Sequence, residues 1–228
     1  MIIYKRDIKP MFESVEKTPI QKLNMKINDN NIFMKRDDLI PFSFGGNKVR
    51  KALLFFKDLI DQEYDTVITY GSSSSNHCRI IANLAAQKGI RCLIISPLET
   101  NRVSYNSKMM ELFGAQIIKC KVTQVRKTIE SIIEKAKEEG YKPYFIQGGG
   151  HGNIGTKAYV EAYNEIKEYE LETGIYFDYI FHASGTGTTQ AGLICGKVIN
   201  KDKKKVIGIS IARKNPYGGQ VVLDSVNN

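Results

Sequence analysis

Short apolar runs alternate along this chain with longer segments whose apolar residues recur every three or four positions. The runs are typical of buried strands, and we predict strands at residues 66–70, 91–95, 116–120 and 143–146. The segments between them predict helices at residues 75–88, 102–113 and 122–139, each followed by a glycine that suits a helix C-terminus. Strands that alternate with helices of this length favour a parallel sheet with right-handed crossovers.

A second α/β unit follows. The pattern predicts helices at 155–170 and 191–198, and strands at 179–182 and 206–211. Because this unit has few strands of its own, we expect the strand-like segment 32–35 to extend its sheet, and residues 221–226 could pair as a further short strand. The fold class is therefore α/β, with open parallel sheets and flanking helices.

Composition excludes several classes of protein. The 228 residues are 42% hydrophobic and 25% charged, which are ordinary globular values. No segment approaches the roughly 18 consecutive apolar residues of a membrane helix, and the first residues lack the apolar core of a secretion signal, so we expect a cytoplasmic protein without a membrane partner.

The net charge of +9 does not point to nucleic acid. Its lysines are spread over several helical segments, and the densest run, residues 201–205, has no aromatic neighbours of the kind that stack on bases. A basic protein also suits anionic small molecules. The four cysteines form no cluster with metal-ligand spacing, so we expect no metal site.

The first candidate for chemistry is Lys48, within the run Gly45-Gly46-Asn47-Lys48-Val49-Arg50-Lys51. Glycines allow a backbone to approach a ligand closely, and a lysine desolvated at the start of a helix has a lowered pKa and a nucleophilic amine. This is the chemistry of a Schiff-base lysine. The alternative is a solvated basic loop.

The second candidate is the run from Ser184 to Gly192, SGTGTTQAG, which lies between a predicted strand and a predicted helix. Backbone N–H groups and the helix dipole favour a phosphate there, and three threonine hydroxyls can add hydrogen bonds. A plain tight turn is one alternative. A nucleotide-binding module, in which Arg213 meets the 2′-phosphate of NADP, is another, but Gln190 stands where a dinucleotide fingerprint has its third glycine.

Two further polar runs follow predicted strands, where open α/β sheets place ligands. The first ends in Ser75-Asn76-His77, and its alternative interpretation is a serine-rich helix cap. The second, residues 147–153, is rich in glycine, and we interpret it as a flexible connection between domains rather than as part of the chemistry.

Taken together and in this order, the motifs resemble fold-type II pyridoxal-phosphate enzymes, and more narrowly the 1-aminocyclopropane-1-carboxylate deaminase and D-cysteine desulfhydrase family. The resemblance also includes residues 18–20, 36–39, 106–115 and 159–162. It implies two lobes, a smaller α/β domain at 52–155 and a larger cofactor-binding domain made of 1–51 and 156–228. The implied cofactor is pyridoxal 5′-phosphate, and the implied partner is a small amino-acid substrate.

The resemblance also implies roles for individual residues. Lys48 matches the lysine that forms the Schiff base, and Asn76 matches the residue that binds the phenolic oxygen of the cofactor. Ser75 matches a serine beside the substrate carboxylate and the reacting carbon. Lys51, one turn beyond Lys48, could steer an anionic substrate or lower the pKa of Lys48, or could be a plain surface lysine. The remaining residues match the phosphate cup: Ser184, Gly185, Thr186, Gly187, Thr188 and Thr189.

His77 directs the substrate prediction. Desulfhydrase-like members of the resembled family tend to carry histidine at this position, where cyclopropane-opening deaminases tend to carry glutamine. We therefore expect β-elimination from a small amino acid, giving a 2-oxo acid and ammonia, with ring opening as the alternative. A histidine that merely starts a helix is the plain interpretation.

The chain is short for the resembled family, whose members continue past the position of Asn228 with groups that contact the cofactor ring. A second subunit, as in a homodimer, or a separate polypeptide could complete the site. The chain could otherwise be a catalytically silent binder of pyridoxal phosphate.

Overall fold

A computed structural model describes residues 14–100 and 102–228 of the chain. It has the predicted α/β architecture, with parallel sheets and flanking helices. The eight strands in these ranges are β1 (Ile20–Ile27), β2 (Asn30–Lys35), β3 (Thr66–Tyr70), β4 (Arg91–Pro97), β5 (Gln116–Cys120), β6 (Pro143–Ile146), β7 (Tyr179–Ser184) and β8 (Lys205–Ser210). The seven α-helices of the described residues are α1 (Asn47–Asp61), α2 (Asn76–Lys88), α3 (Tyr105–Leu112), α4 (Val125–Glu138), α5 (Asn153–Thr173), α6 (Thr188–Ile199) and α7 (Tyr217–Asn227).

The central sheet has four parallel strands in the order β5-β4-β3-β6. Its two central strands, β3 and β4, are buried along nearly their whole length because both faces are covered. One face, which includes Val67 and Ile94, packs with residues of α1 and α2. The opposite face, which includes Ile68 and Ile95, packs against Ile132 and other residues of α4. All four predicted strands of this unit are confirmed.

Within the described residues, the second parallel sheet contains only β7 and β8, in register from Tyr179↔Lys205 to Ser184↔Ser210. One face packs on α5 and α6 through Ile180 and Val206. The helices approach each other closely at Gly192, where a Cβ would lie 2.3 Å from the carbonyl oxygen of Thr156. A side chain at that position would force the two helices apart.

Two expectations about this sheet are wrong. The segment at 32–35 does not extend it, because β2 pairs antiparallel with β1 in a separate two-stranded sheet. Residues 221–226 are not a strand but part of α7, in which Val222 and Ser225 are buried at a three-residue spacing. A run of two valines and a leucine is compatible with a strand or a helix, and here the three-residue spacing of the buried positions is that of a helix.

The predicted helices exist, with shifted ends. α2 begins at Asn76 because Ser75 is its N-cap and accepts a hydrogen bond from the Cys78 amide at 3.2 Å. α3 begins only at Tyr105, after a Ser104–Ser107 capping box. The four-stranded sheet lies within residues 52–155, the domain predicted to be the smaller one, and β7 and β8 lie within residues 156–228 of the other predicted domain. The domain predicted to be smaller therefore contains the sheet with more strands.

Candidate active site

The loop before Lys48 is held in place by the backbone of the preceding segment. Gly45 has φ +65°, and a Cβ there would lie 2.3 Å from the carbonyl oxygen of Asp38. The amide of Gly46 donates to the carbonyl of Asp37 at 2.7 Å. Only glycine fits both the backbone angle and the close approach at position 45. The glycine pair thus fixes where α1 begins and where Lys48 projects.

Lys48 lies in a narrow space made by a third glycine. A Cβ at Gly149, which has φ +75°, would lie 2.8 Å from Cγ2 of Thr186 and 3.6 Å from Nζ of Lys48. The absence of a side chain at Gly149 therefore keeps a gap between the lysine amine and the 184–189 loop. Burial lowers the pKa of Lys48, which favours its neutral amine.

Lys51 is fully buried, with none of its surface exposed. Its Nζ has no hydrogen-bond partner among the described residues and lies 5.8 Å from the centre of the Tyr159 ring. Burial, and secondarily the charge of Lys48, lowers the pKa of Lys51 well below its usual value. The charge of Lys48 thus lowers the pKa of Lys51, whereas the lowered pKa of Lys48 is due to burial.

His77 is also buried, at the first turn of α2. Its Nε2 lies 2.8 Å from Oγ1 of Thr69, and that hydroxyl donates to the carbonyl of Ile146 at 2.7 Å. The hydroxyl proton is thereby committed, so Nε2 carries the ring proton and Nδ1 is left as an acceptor without a partner. Burial, with the charges of Lys48 and Lys51, lowers the pKa of His77 to about 3.

Asn76 is exposed at the start of α2, and its amide is oriented by two donors. Its Oδ1 accepts hydrogen bonds from Nη1 of Arg79 and from Nδ2 of Asn106, both at 2.9 Å. With the oxygen occupied in this way, Nδ2 of Asn76 is the group left to donate to a ligand.

The 184–189 loop joins β7 to α6 and has the geometry of a helix N-terminus. Gly187 has φ +88°, and Thr188 and Thr189 are buried in the first turn of α6. Nδ1 of His151 lies 2.9 Å from Oγ1 of Thr188, and Nδ2 of Asn47 donates to Oγ1 of Thr189 at 3.3 Å. The loop is therefore tied both to the start of α1 and to the glycine-rich segment 147–153.

A cavity of about 580 Å³ is lined by residues near or just after the carboxyl ends of β3, β6, β7 and β8. Three predicted features meet at its wall, because Ser75 from the cap of α2, Gly149 from the glycine-rich segment and Thr186 from the 184–189 loop all line it. Lys48 is not one of the lining residues, but its amine lies alongside Gly149 and Thr186. The open α/β rule, which places ligands at the carboxyl ends of strands, accounts for this meeting.

Sequence reasoning missed part of this wall. The segment 147–153 was expected to be a flexible connection, but it forms a turn in which the Gly150 amide donates to the Gln147 carbonyl at 2.9 Å, and it contributes four residues to the cavity. Tyr217 and Asp224 from α7 also line the cavity. The position of 147–153 directly after a strand was the available signal, whereas α7 gave none.

A buried charge network lies behind the lysine. Nη2 of Arg50 donates to Oδ1 of Asp37 at 2.8 Å, and the same guanidinium binds Glu165 of α5. The hydroxyl of Tyr159 donates to Oδ2 of Asp37 at 2.9 Å. Burial opposes the charge of Arg50, but its hydrogen bonds to Asp37 and Glu165 raise its pKa overall. The network holds α1, and with it Lys48, against α5.

No three or more histidine, cysteine, aspartate or glutamate side chains within 14–100 and 102–228 are grouped to hold a metal ion. None of the helices in the same ranges is long and apolar enough to cross a membrane.

Comparison with known proteins bears on the identity of this site. The family described as pyridoxal-phosphate dependent enzymes matches residues 11–225, which is nearly the whole chain. The chain belongs to this family. The predicted family and its cofactor, pyridoxal phosphate, are thereby confirmed.

Among individual proteins, the chain is 31% identical over 207 residues to D-cysteine desulfhydrase of Serratia proteamaculans, covering 86% of this chain and 62% of that protein. The chain thus spans less than two thirds of the length of this curated relative. The crystal structure of an ACC deaminase homologue superposes with a TM-score of 0.83 at 30% identity, covering 95% of this chain and 68% of the other.

A more distant structure shares the fold. Diaminopropionate ammonia lyase of Escherichia coli superposes with a TM-score of 0.71 at 18% identity, covering 93% of this chain and 63% of that chain. The predicted fold class, open parallel sheets with flanking helices, is confirmed by these superpositions.

Proposed function

We propose that this protein is a pyridoxal-phosphate dependent lyase that eliminates a β-substituent from a small amino acid, as the desulfhydrase name of its relative suggests. The observation that carries the proposal is the space around Lys48. A desolvated amine faces a gap next to the 184–189 loop, and the gap exists only because position 149 is glycine.

The residues present fit the cofactor. Lys48 would hold its aldehyde carbon, and the N–H groups at the start of α6, with the hydroxyls of the loop, would hold its phosphate. Nδ2 of Asn76 is free to donate to the phenolic oxygen, because Oδ1 is already occupied by Arg79 and Asn106. When bound, pyridoxal phosphate withdraws electrons from the carbon that loses a proton.

Lys48 then acts as the base. Its lowered pKa leaves a larger share of neutral amine near neutral pH than an exposed lysine would have, and only the neutral amine can accept a proton from the α-carbon. Burial of the amine against Gly149 also limits the number of directions from which the proton can come.

His77 and Ser75 act at the other side of the site. His77 stays neutral, with Nε2–H fixed on Thr69, so it positions the start of α2 instead of exchanging protons. Ser75 lines the cavity, and its hydroxyl accepts from the Cys78 amide, which leaves the hydroxyl proton to donate to a substrate carboxylate. The same hydroxyl supports the second candidate, ring opening of a cyclopropane amino acid, for which Ser75 would take part in the reaction itself.

We also propose that the protein resides in the cytoplasm. The described part of the chain has four unpaired cysteines, of which Cys78, Cys92 and Cys120 are buried, and burial raises the pKa of the Cys78 thiol to about 12. Unreactive free thiols are typical of proteins from reducing compartments.

The test is the visible absorbance of the protein mixed with pyridoxal phosphate, followed by sulfide release from D-cysteine. We expect a new absorbance band with wild type and with Lys57→Ala, a control for an exposed lysine on the same helix, but not with Lys48→Ala. Release of sulfide by Lys48→Ala at the wild-type rate would rule out the mechanism. A band without turnover of any amino acid would select a silent cofactor-binding protein.

Ser75→Ala separates the two reactions. For β-elimination we expect the KM for D-cysteine to rise while kcat changes less, because the serine only binds the carboxylate. If wild type opens a cyclopropane amino acid but shows no β-elimination, and Ser75→Ala no longer opens the ring, the second candidate is selected.

A further inference from the structure

Arg213 lies in the turn that follows β8 and lines the 580 Å³ cavity. Its guanidinium is anchored on the 184–189 loop, because Nη1 donates to the carbonyl of Gly185 at 2.8 Å. Cζ lies 5.6 Å from the centre of the Tyr217 ring, which also lines the cavity. These two contacts hold the cation between the 184–189 loop and α7.

Among the described residues, no carboxylate forms an ion pair with Arg213, and the bond to Gly185 is the one hydrogen bond that its guanidinium makes. A guanidinium has five N–H donors, so most of them are available to a ligand. Asp224 lines the same cavity, and its Oδ1 accepts instead from Nε2 of Gln220 at 2.7 Å.

Of the described residues that line the cavity, Arg213 is also the one permanent cation. His151 does not add a second, because burial and the charge of Arg213 lower its pKa. The loop itself, Ser184 to Thr189, contains no basic residue, and a helix N-terminus supplies only about half a positive charge. A bound phosphate monoester carries up to two negative charges, so the loop alone leaves much of that charge uncompensated.

We propose that Arg213 supplies the missing positive charge and binds a phosphate monoester dianion together with the 184–189 loop. The guanidinium is held by the loop's own backbone, so it reaches the anion without a rearrangement. A planar fork of N–H groups suits two phosphate oxygens at once. For the cofactor phosphate, this inference rests on the proposed function, and free phosphate is the other source of the same anion.

The experiment titrates wild type, Arg213→Gln and Lys214→Gln with three ligands: pyridoxal phosphate, pyridoxal without phosphate, and inorganic phosphate as a competitor. Lys214 is exposed and adjacent, so its variant makes the same change of net charge outside the cavity. The absorbance band of the bound aldehyde gives the affinity. We expect Arg213→Gln to weaken pyridoxal phosphate at least tenfold and pyridoxal less than twofold, while Lys214→Gln changes neither by more than twofold.

A salt titration and Arg213→Lys separate charge from loop structure. If Arg213 neutralises the anion, the affinity of wild type for pyridoxal phosphate falls more steeply with salt than that of Arg213→Gln, and Arg213→Lys recovers part of the affinity. Equal affinity and equal salt dependence in wild type and Arg213→Gln would overturn the inference. An equal loss for pyridoxal and for pyridoxal phosphate would overturn it too, because a structural defect would then explain both.

Failure of the proposed function would give a different result. Wild type would then form no band with either aldehyde, and phosphate binding would be measured by calorimetry. Binding of inorganic phosphate to wild type but not to Arg213→Gln would still support the anion site, with free phosphate as its source. Phosphate binding unaffected by Arg213→Gln, or absent from wild type, would overturn it.

Discussion

The two parallel sheets of this protein differ in how completely they are covered, although each contributes a loop to the same cavity. In the four-stranded sheet, Ile68, Ile94 and Ile95 have no exposed surface, and helices cover both faces. In the two-stranded sheet one face packs on α5 and α6, but on the other Phe181 is 64% exposed and Ile209 57% exposed. Parallel sheets are usually covered on both faces.

This difference has a consequence for the site. Ser75 and Asn76 follow β3, which lies inside the fully covered sheet, whereas the 184–189 loop follows β7 of the half-covered one. Local opening is easier where fewer apolar contacts must be broken. We therefore expect the 184–189 loop to be the less protected half of the candidate site, and the contacts that tie it to the Ser75–Asn76 half to matter most.

The largest expected effect on stability comes from the buried charge network of Arg50, Asp37 and Glu165, which joins the two halves of the candidate site through α1 and α5. Arg50 of α1 binds Glu165 of α5 and Asp37, and removing one partner from a buried ion pair leaves uncompensated charges. We expect Arg50→Met to lower the free energy of unfolding by about 3–5 kcal/mol. Urea unfolding measures it.

Arg126→Met is the matched control for Arg50→Met, because Arg126 is 93% exposed and pairs with Glu130 on the surface of α4. Such pairs contribute about 0–1 kcal/mol. Similar losses in the two variants would show that the buried network does not join the halves more strongly than a surface pair.

The next effect compares the two parallel sheets directly, because the same change from isoleucine to alanine is made once in each. Ile95→Ala removes a side chain with no exposed surface and should cost about 2–5 kcal/mol, because it loses buried area and leaves a cavity. Ile209→Ala, on the bare face of the two-stranded sheet, should stay within about 0.5 kcal/mol. Equal losses in urea unfolding would mean that the face around Ile209 is covered in solution.

The covered sheet is also the part of the fold that the sequence predicts best. Its central strands β3 and β4 are apolar and buried along nearly their whole length, which is the pattern of burial on both faces, and all four strand predictions hold. The half-covered unit is harder to predict, since the 221–226 segment was expected as a strand and belongs to α7. Short apolar runs do not by themselves separate a strand from a buried helical turn.

The site shows the same division. Lys48 and the 184–189 loop stand out in the sequence because glycines flank them, and the structure brings them together at Gly149. The contribution of α7 depends on tertiary packing of a helix that carries no motif, so no local pattern could indicate it. The roles of Lys48, the 184–189 loop and α7 in ligand binding are predictions, which a binding measurement tests.

The smallest expected effect concerns Lys51, which connects burial to pH. Its pKa is lowered well below the usual lysine value by burial and by Lys48, so the unfolded chain binds a proton that the folded protein gives up. Stability then rises with pH between the lowered pKa and the ordinary one, and the cost of burying this amine is largest at low pH. Lys51→Met removes the cost, and we expect it to stabilise the fold by about 1–3 kcal/mol at neutral pH. The measurement is urea unfolding at several pH values. The free energy of unfolding should rise less steeply with pH for Lys51→Met than for wild type. The control is Lys57→Met, because the Lys57 side chain is 72% exposed, and it should keep the wild-type slope. A destabilised Lys51→Met with an unchanged slope would mean that Lys51 stays charged in the folded protein, held by a partner that the described residues do not supply.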